Sequence, residues 1–348
     1  MGNFTVKPEN LEASARRLAE DVSPAYTAAA TNLQTNASVD APGFGVALAW
    51  FDAMYRSRLD YITLDLQGAG DVTSDLAAAL RDTAAQYAAS EDLNVAGFGG
   101  PGQASQTFGD SLPGALGNTV PVTLGAGVVG GLLTVAAISA AGGTLASCAA
   151  LCPAFIPAAI TSLLFISNIP SIFEAAGALK AQADELTGTL NIAVSQALSH
   201  AADGWEGAGA QGFGENSERL TTHLSELTTF IDAVGEVLTA VGITLSILWG
   251  ALVVFAAAFL AWLVFMHSAS IGPQAAVLQP IIQAVGLAAS SAWMTGFMAA
   301  AGAASAVSLV LSALNQQLAT FLNIPDGGAQ GTPDLQEFHV DPNFEAPI

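Results

Sequence analysis

Basic residues are scarce in this chain. Eight Lys and Arg stand against 29 Asp and Glu in 348 residues, which gives a formal net charge of −21. Phosphate binding needs clustered cations, so nucleic acid is excluded as the main partner. Charged residues of both signs make up 11 % of the chain, whereas an ordinary soluble domain has about 25 %. Because 52 % of the residues are apolar, general disorder is excluded as well.

Charge is missing altogether from two long stretches. Residues 111–173 contain no Asp, Glu, Lys or Arg over 63 positions, and residues 237–325 contain none over 89 positions. His267 is the one titratable side chain in the second stretch. Elsewhere the density of charge is close to that of a soluble protein. The sequence therefore alternates two blocks of soluble character with two blocks of membrane character.

A secretory signal peptide is also lacking. No apolar core of about 7 to 15 residues follows a basic start within the first 40 residues. We therefore expect export by a route other than the general secretory pathway.

Cysteine is represented by Cys148 and Cys152 alone, both in the first uncharged stretch. Their spacing places the two thiols on one face of a helix, but two ligands do not make a zinc site. Two interpretations stay open. The side chains are small apolar fillers at a bend, or they form a local disulfide in an oxidising envelope.

Catalytic motifs are missing as well. The histidines form no metal-binding pair of the HExxH type, and the sequence has no nucleophile elbow and no phosphate-binding loop with a Lys. The histidines are His200, His223, His267 and His339. We predict no catalytic activity, no metal and no cofactor. His200 and His223 could face each other across the second pair of helices, but we expect them to be partly buried structural residues.

What the sequence does have is helical periodicity. In the first block, residues 1–94, apolar residues recur at spacings of three and four along 5–36 and along 46–92, with a turn between them. This block is predicted to be a helical hairpin, followed by a Gly/Ser/Pro linker at 95–122. The longer helix has a coiled-coil seam formed by Leu59, Ile62, Leu66, Ala69, Thr73, Leu76, Leu80, Thr83 and Tyr87. Its aspartates are expected on the solvated face, and they are Asp52, Asp60, Asp65, Asp71, Asp75 and Asp82.

The first apolar block, residues 123–170, is predicted to form a second and membrane-associating helical hairpin. Residues 124–146 would extend about 35 Å as a helix, which is enough for a bilayer core of about 30 Å. Gly127 and Gly131 offer a small-xxx-small packing surface on it. A shorter apolar arm is predicted at 158–169.

The second soluble block, residues 171–240, repeats the pattern of two amphipathic helices. A Gly-rich turn at 203–214 separates them and contains Trp205 and Gly207. Gly lets the turn reach backbone conformations that are closed to other residues. Trp205 is expected to fill the groove where the two arms diverge.

The return helix continues without a breaker into the second apolar block, residues 241–324. We predict that 237–322 inserts in lipid as at least one helical hairpin with a turn at 267–274, and that Trp249 is an interface anchor. An acidic, disordered tail is predicted at 325–348. A face of small residues for helix packing in an oligomer comprises Gly296, Ala300 and Ala304.

Motifs in both soluble blocks resemble those of the helical-hairpin substrates of actinobacterial type VII (ESX) secretion systems. The tripeptide Trp205-Glu206-Gly207 stands between two amphipathic helices, as in the Trp-x-Gly family. Tyr87 and Glu91, at the end of the long helix, fit the export signal Y-x-x-x-[DE] and share one helix face. A related opening, Val-x-Pro-Glu-x-Leu, is matched by Val6, Pro8, Glu9 and Leu11.

The resemblance covers roughly residues 1–92 and 171–240. The chain departs from the small family members in having two hairpins, two uncharged blocks and no Trp-x-Gly in its first turn. The resemblance implies an all-α fold of antiparallel helical hairpins and export by the type VII secretion ATPase. It also implies a helical-hairpin co-substrate or chaperone as a further partner.

Together, the resemblance and the uncharged blocks predict an effector or cell-envelope protein that associates with or permeabilises a lipid membrane after export, as a homo-oligomer. Lys and Arg, which orient proteins inserted at the inner membrane, are missing beside the apolar blocks. This favours export in a soluble form with later insertion. The alternative is a soluble secreted scaffold that self-assembles through its apolar helices.

Overall fold

The computed structural model describes residues 7–98, 135–203, 205, 208–271 and 274–321. α-Helices cover most of these ranges and no strand occurs in them, so the predicted all-α class is confirmed. The α-helices are α1 (Pro8–Arg17), α2 (Ser23–Asn36), α3 (Ala49–Phe98), α4 (Val135–Leu151), α5 (Ile156–Leu164), α6 (Ile169–Glu185), α7 (Asn191–Ala202), α8 (Ala208–Ala269) and α9 (Ala275–Phe321). Most of the predicted linker, 95–122, and the whole predicted tail, 325–348, lie outside the described residues.

Short turns of other helix types connect some of these helices. A π-helical turn, Leu18–Val22, joins α1 to α2, and a second one, Leu186–Leu190, joins α6 to α7. Each of these pairs therefore forms one long arm. Turns of 3-10 helix, Val46–Leu48 and Pro153–Phe155, lead into α3 and α5.

The start of α6 is determined by its capping residues. Pro170 lies in the first turn, where its missing N–H leaves no helical hydrogen bond unmade. The Asn168 side chain accepts a hydrogen bond from the backbone N–H of Ser171 at 3.4 Å. The helix therefore begins two residues earlier than predicted, and the apolar arm predicted at 158–169 is shortened to α5.

Four long arms form a helical bundle. α1 and α2 pack along α3, α6 and α7 pack along α8, and the two sets contact each other through α1 with α7 and α2 with α6. The predicted seam of α3 is buried from Leu59 to Leu80. The two soluble blocks, which are far apart in sequence, thus share one core.

Polar contacts join the two halves of the bundle. The Asn32 side-chain amide donates to the Gln182 side-chain oxygen at 2.8 Å, and Gln182 is buried. Near the start of α1, the Asn10 side-chain amide donates to the backbone carbonyl of Asp203 at 3.2 Å. The latter contact places the end of α7 beside the beginning of α1.

α8 leaves the bundle without a break. Its 62 residues extend about 93 Å, and α9 follows after a short turn and packs back along it. Within the bundle, a Cβ on Gly242 would lie 3.0 Å from the Phe173 ring. Leu238 and Leu245 are buried as well. The stretch predicted to insert from residue 237 therefore begins inside the bundle, before α8 emerges from it.

α4 and α5 pack against the part of α8 and α9 that extends beyond the bundle. Phe155, in the turn between α4 and α5, has its ring centroid 4.9 Å from that of Phe259 and 5.5 Å from that of Trp293. The molecule thus has a bundle end of soluble composition and an apolar end built from α4, α5 and the distal parts of α8 and α9.

Candidate functional site

The apolar extension begins where the loop before α6 crosses α8. The buried Trp249 indole N–H donates to the carbonyl of Phe165 at 3.1 Å. The Phe165 ring in turn packs on Phe297 of α9, with centroids 4.4 Å apart. These contacts define the base of the extension. Trp249 is fully enclosed, so its predicted role as an interface anchor is wrong; it fastens α8 to the loop instead.

The segment of α8 and α9 beyond this base has the length of a bilayer core. From Trp249 to Ala269 the helix rises about 30 Å, which equals the thickness of the hydrocarbon region. We call residues 249–269 of α8 and 275–297 of α9, with the connection between them, the apolar hairpin. The described residues of this hairpin include no Asp, Glu, Lys or Arg.

The outer surface of the apolar hairpin is apolar as well. The large hydrophobic side chains exposed on it are Val254, Phe255, Val264, Phe265, Ile271, Val277, Ile281, Val285 and Leu287. In the most apolar 18-residue window of α9, only 17 % is buried. A helix that is apolar on both its buried and its exposed faces belongs in a large core or a membrane, and no such core surrounds these residues among the described helices.

Three helical segments are long and apolar enough to cross a membrane by length and composition: Pro153–Ala202, Gly209–Ala269 and Ala275–Ala303. The first of them is interrupted by the loop before α6 and contributes two helices to the bundle. The second and third contain the two arms of the apolar hairpin. The hairpin is therefore the part of the molecule best suited to lipid.

The inner face of the apolar hairpin is tightly packed. The Trp293 indole N–H donates to the hydroxyl of Ser162 on α5 at 2.7 Å. The Gln283 side-chain oxygen accepts from the backbone N–H of Ala154 at 3.2 Å. These polar groups are satisfied within the chain, so they do not form a free polar stripe along the hairpin.

Both thiols are free and buried in the structure. The Cys148 thiol lies 3.7 Å from the carbonyl oxygen of Ala256, and the Cys152 thiol lies 3.5 Å from that of Ile282. A Cβ on Gly286 would overlap the Cys152 sulfur. The cysteines are thus small side chains packed at a bend, and they form no disulfide here.

Of the two predicted small-residue faces, the one on α9 lies among the described residues. Gly127 and Gly131 lie outside the described residues. On α9, Ala300 is buried against the chain's own core, whereas a Cβ on Gly296 would meet no atom within 4 Å. Ala304 lies in the same helix, four residues further on.

The predicted export residues lie at the opposite end of the bundle from the apolar hairpin. Tyr87 is half-buried on α3, and Glu91 follows one helical turn later in the same helix. Trp205 is half-buried and its ring centroid is 5.5 Å from that of Phe213. Gly207 lies outside the described residues. α3 runs antiparallel to the arm that begins at α1, and α7 ends beside the start of α1, so Tyr87 and Trp205 lie at the same end.

A buried pair of titratable side chains, an aspartate and a histidine, lies between the two halves of the bundle. The Asp65 carboxylate of α3 and the His223 imidazole of α8 are 3.1 Å apart and almost wholly enclosed. The Tyr26 phenol of α2 lies near them; burial, and then the charge of Asp65, raises the pKa of this phenol. The two side chains are within ion-pair distance of each other, but their contact does not have hydrogen-bond geometry, and neither makes a hydrogen bond to another of the described residues.

The sequence interpretation missed this pair. Asp65 was expected on a solvated face, and this is wrong because the second half of the bundle covers it. His223, expected to be a partly buried structural residue, is buried, whereas His200 is exposed. A signal existed, since Asp65 is three residues after Ile62 and His223 is three residues after Leu220, which places each beside an apolar seam. No group of three or more metal-ligating side chains comes together within the described ranges.

No protein-family model, curated protein or solved structure matches the chain. Functional inference therefore rests on the sequence motifs and on the geometry of the apolar hairpin.

Proposed function

We propose that the protein is a type VII secretion substrate whose apolar hairpin inserts in a lipid bilayer after export, so that the helical bundle is held at the membrane surface. The observation that carries this proposal is the hairpin of about 30 Å that is uncharged over its described length and apolar on its outer surface. A charge at the bilayer centre destabilises insertion by several kcal/mol. The composition of the hairpin avoids this penalty entirely.

The position of the hairpin supports insertion with its connection leading. Both arms run back to the base formed by Trp249, Phe165 and Phe297, so the connection between α8 and α9 is the part that must enter lipid first. The last charged residue before it is Glu236, which lies 3.9 Å from Lys180 on α6 within the bundle. Insertion of the hairpin would therefore move no charged side chain of its described residues into the bilayer.

The export part of the proposal rests on the resemblance of the two soluble blocks to type VII substrates. Tyr87 and Glu91 lie on the part of α3 furthest from the apolar hairpin, where the secretion ATPase could bind without contacting the hairpin. The bundle brings two hairpin-like halves together in one chain. In this proposal they serve each other as partners, and a separate co-substrate is needed only to cover the apolar hairpin before insertion.

The packing of the hairpin favours an anchor over a pore. Of the polar side chains on α9, Gln283 is engaged with Ala154 and Ser290 is buried. The hydroxyls of Thr295 and Ser305 donate to backbone carbonyls of their own helix. A water-filled lumen requires a continuous polar face, and exposed polar side chains of α9 such as Ser291 are scattered among exposed apolar ones.

Liposome flotation combined with dye release tests this function. Purified full-length protein is mixed with dye-loaded phosphatidylcholine vesicles and centrifuged through a density gradient at neutral and at acidic pH. We expect the protein to float with the vesicles and to leave the dye inside. Flotation with dye release would assign a pore instead. Protein that stays at the bottom at both pH values would contradict membrane insertion and would support the soluble self-assembling scaffold.

A further inference from the structure

We propose that the connection between α2 and α3 is a second membrane-contacting surface, which rests on the lipid headgroups around the inserted hairpin. This inference rests on the proposed function. The surface, here called the shoulder, consists of Val46 and Trp50, and it belongs to the soluble-looking N-terminal block rather than to either uncharged stretch. Its partner is the headgroup and upper acyl region of a phospholipid bilayer.

The shoulder exposes apolar side chains that its neighbours bury. Val46 is 72 % exposed and Trp50 is 43 % exposed. Phe44, Leu48 and Phe51, which alternate with them along the chain, are at most 1 % exposed. The connection therefore has one face that completes the core of the bundle and one apolar face that is largely open, where the Trp50 ring meets the edge of the neighbouring Phe51 ring at 5.8 Å.

The shoulder is held in a fixed place beside the base of the apolar hairpin. Gly43 and Gly45 have positive φ values of 63° and 85°, which L side chains rarely adopt. The carbonyl of Gly43 accepts from the backbone N–H of Asn168 at 2.9 Å. A Cβ on Gly45 would lie 2.8 Å from the carbonyl oxygen of Ile166. The connection is thus packed directly on the loop before α6.

The same loop defines the level at which the apolar hairpin begins. Phe165, one residue before Ile166, accepts the hydrogen bond from Trp249 of α8. Val46 and Trp50 therefore lie near the base of the hairpin, about 30 Å from its far end. A bilayer that contains the hairpin over its whole length must have its surface at this level.

Exposed side chains of α5 continue the apolar surface from the shoulder along the hairpin. A Cβ on Gly45 would lie 3.0 Å from the carbonyl oxygen of Leu164, so the end of α5 is beside the shoulder. From there α5 packs along α9 towards Phe155. The exposed residues of α5 are Ile156, Ile160, Leu163 and Leu164. A continuous apolar surface that begins at a tryptophan is typical of a membrane interface, where the indole prefers the headgroup level.

The charges near the shoulder indicate how it meets lipid. Asp52 and Arg56 form an ion pair at 2.9 Å on α3, just beyond Trp50, and Asp40 is exposed on the other side. The basic residues described near it are Arg56 and Arg58, whereas binding of anionic headgroups uses clusters of about four to eight. We therefore expect the shoulder to bind zwitterionic lipid through apolar contact, without a requirement for anionic lipid.

Site-specific labelling tests the shoulder directly. A fluorophore that reports on polarity is attached to Val46→Cys in a chain that also carries Cys148→Ala and Cys152→Ala. The control label is placed at Ile192→Cys, an exposed apolar position on α7 that lies within the bundle. Phosphatidylcholine vesicles contain a nitroxide quencher either near the headgroup or near the end of the acyl chain, and flotation is recorded on each sample.

We expect the label at position 46 to shift to the blue and to be quenched by the shallow nitroxide alone, while the label at position 192 is unchanged. The protein could float while its label at position 46 behaves like the control or is quenched only by the deep nitroxide. That result would overturn the contact of the shoulder with the headgroups and leave hairpin insertion intact. Protein that does not float would overturn both.

A second variant keeps the test independent of the cysteine-free background. Trp50→Ala in the otherwise unchanged chain should weaken partitioning into phosphatidylcholine vesicles by about tenfold, since exposed apolar area that lipid would cover is lost. Leu64→Ala removes a comparably exposed side chain from the bundle and should leave partitioning unchanged. Equal partitioning of the two variants would overturn the proposal.

Discussion

Two buried tyrosines show how much a single hydroxyl depends on its position in the bundle. The Tyr55 hydroxyl donates to the backbone carbonyl of Ala37 across the α2–α3 connection. The Tyr26 hydroxyl is buried and has no hydrogen-bond partner among the described residues. Because burying a polar group without a partner is unfavourable, the two phenols make opposite contributions to stability.

Replacing each tyrosine by phenylalanine should separate these contributions. Tyr55→Phe should lower the free energy of unfolding by about 1 kcal/mol, because a buried carbonyl loses its donor. Tyr26→Phe should leave it unchanged or raise it by about 1 kcal/mol. Urea denaturation of the full chain followed by circular dichroism provides the comparison. A larger loss in Tyr26→Phe than in Tyr55→Phe would contradict the assigned hydrogen bonding.

The same substitutions should alter the alkaline limb of the stability curve. Burial raises the pKa of both phenols in the folded protein. Above about pH 10 the tyrosines of the unfolded chain lose their protons, while those of the folded chain keep theirs. Unfolding then releases protons, so stability falls as the pH rises through this range. Tyr26→Phe should make the fall shallower, and an unchanged slope would contradict the burial of this phenol.

The Asp65–His223 pair predicts strong coupling between the two halves of the bundle. Asp65→Leu or His223→Leu alone leaves the other polar side chain buried without the 3.1 Å contact between them, and each should lower the free energy of unfolding by about 3 kcal/mol. The double variant should be less destabilised than the sum of the two by about 1 to 3 kcal/mol. Additive effects in this double-mutant cycle would show that the two side chains do not interact.

At the scale of elements, the α2–α3 connection depends on glycine for two separate reasons. Gly45 has a positive φ and its missing Cβ leaves room for the Ile166 carbonyl. Gly212, near the start of α8, has an ordinary helical backbone, and a Cβ there would meet no atom within 4 Å. Gly45→Ala should therefore lower the free energy of unfolding by about 1 to 3 kcal/mol.

Gly212→Ala is the matched control for this substitution. It should raise the free energy of unfolding by about 0.5 to 1 kcal/mol, because alanine favours the helix. Thermal denaturation of both variants gives the sign of each effect. Equal and small effects of the two substitutions would refute the close packing of the connection on the loop before α6.

The proposed export signal, Tyr87 and Glu91, lies at the distal end of α3. Tyr87→Ala should abolish appearance of the protein outside the cytoplasmic membrane and leave the helical content of the intracellular protein unchanged. Tyr61→Ala, another half-buried tyrosine of the same helix, should be exported normally. Immunoblots of the culture filtrate and of the cell fraction compare them. Normal export of Tyr87→Ala would remove the signal assignment.

Helices were largely predictable from the sequence because apolar residues repeat at helical spacing over long segments. The α3 seam is buried as expected, and α8 continues into the apolar block as the lack of a breaker indicated. Boundaries were less accurate. α3 extends to Phe98, past its predicted end, and the chain leaves helical geometry at Phe165 rather than near Pro170. Capping by Asn168 decides where the next helix, α6, begins, and periodicity does not report it.

At the scale of the whole molecule, the sequence could not predict which helices would share a core. Asp65 and His223 are 158 positions apart, and each is an ordinary polar residue beside a seam until the other half of the bundle covers it. The amphipathic character of the Trp249 side chain is evident from the sequence. Its burial and its hydrogen bond to the Phe165 carbonyl arise only in the folded chain. Positions whose environment depends on distant segments were therefore predicted least well.

The central claim is that the apolar hairpin, and not another exposed apolar surface, enters the bilayer. Leu287 is 64 % exposed on α9, and its position in the hairpin corresponds to the middle of a bilayer core; Leu64 is 62 % exposed on α3 in the bundle. The two side chains have the same type and nearly the same exposure. Arginine substituted at each position thus separates insertion from general surface hydrophobicity.

The most direct measurement is the vesicle partition coefficient of Leu287→Arg against that of Leu64→Arg, obtained by flotation with phosphatidylcholine liposomes. An arginine at the bilayer centre destabilises insertion by about 3 kcal/mol, so Leu287→Arg should partition about a hundredfold more weakly than the unsubstituted protein. Leu64→Arg should partition as the unsubstituted protein does. Equal partitioning of the two variants would contradict insertion of the apolar hairpin.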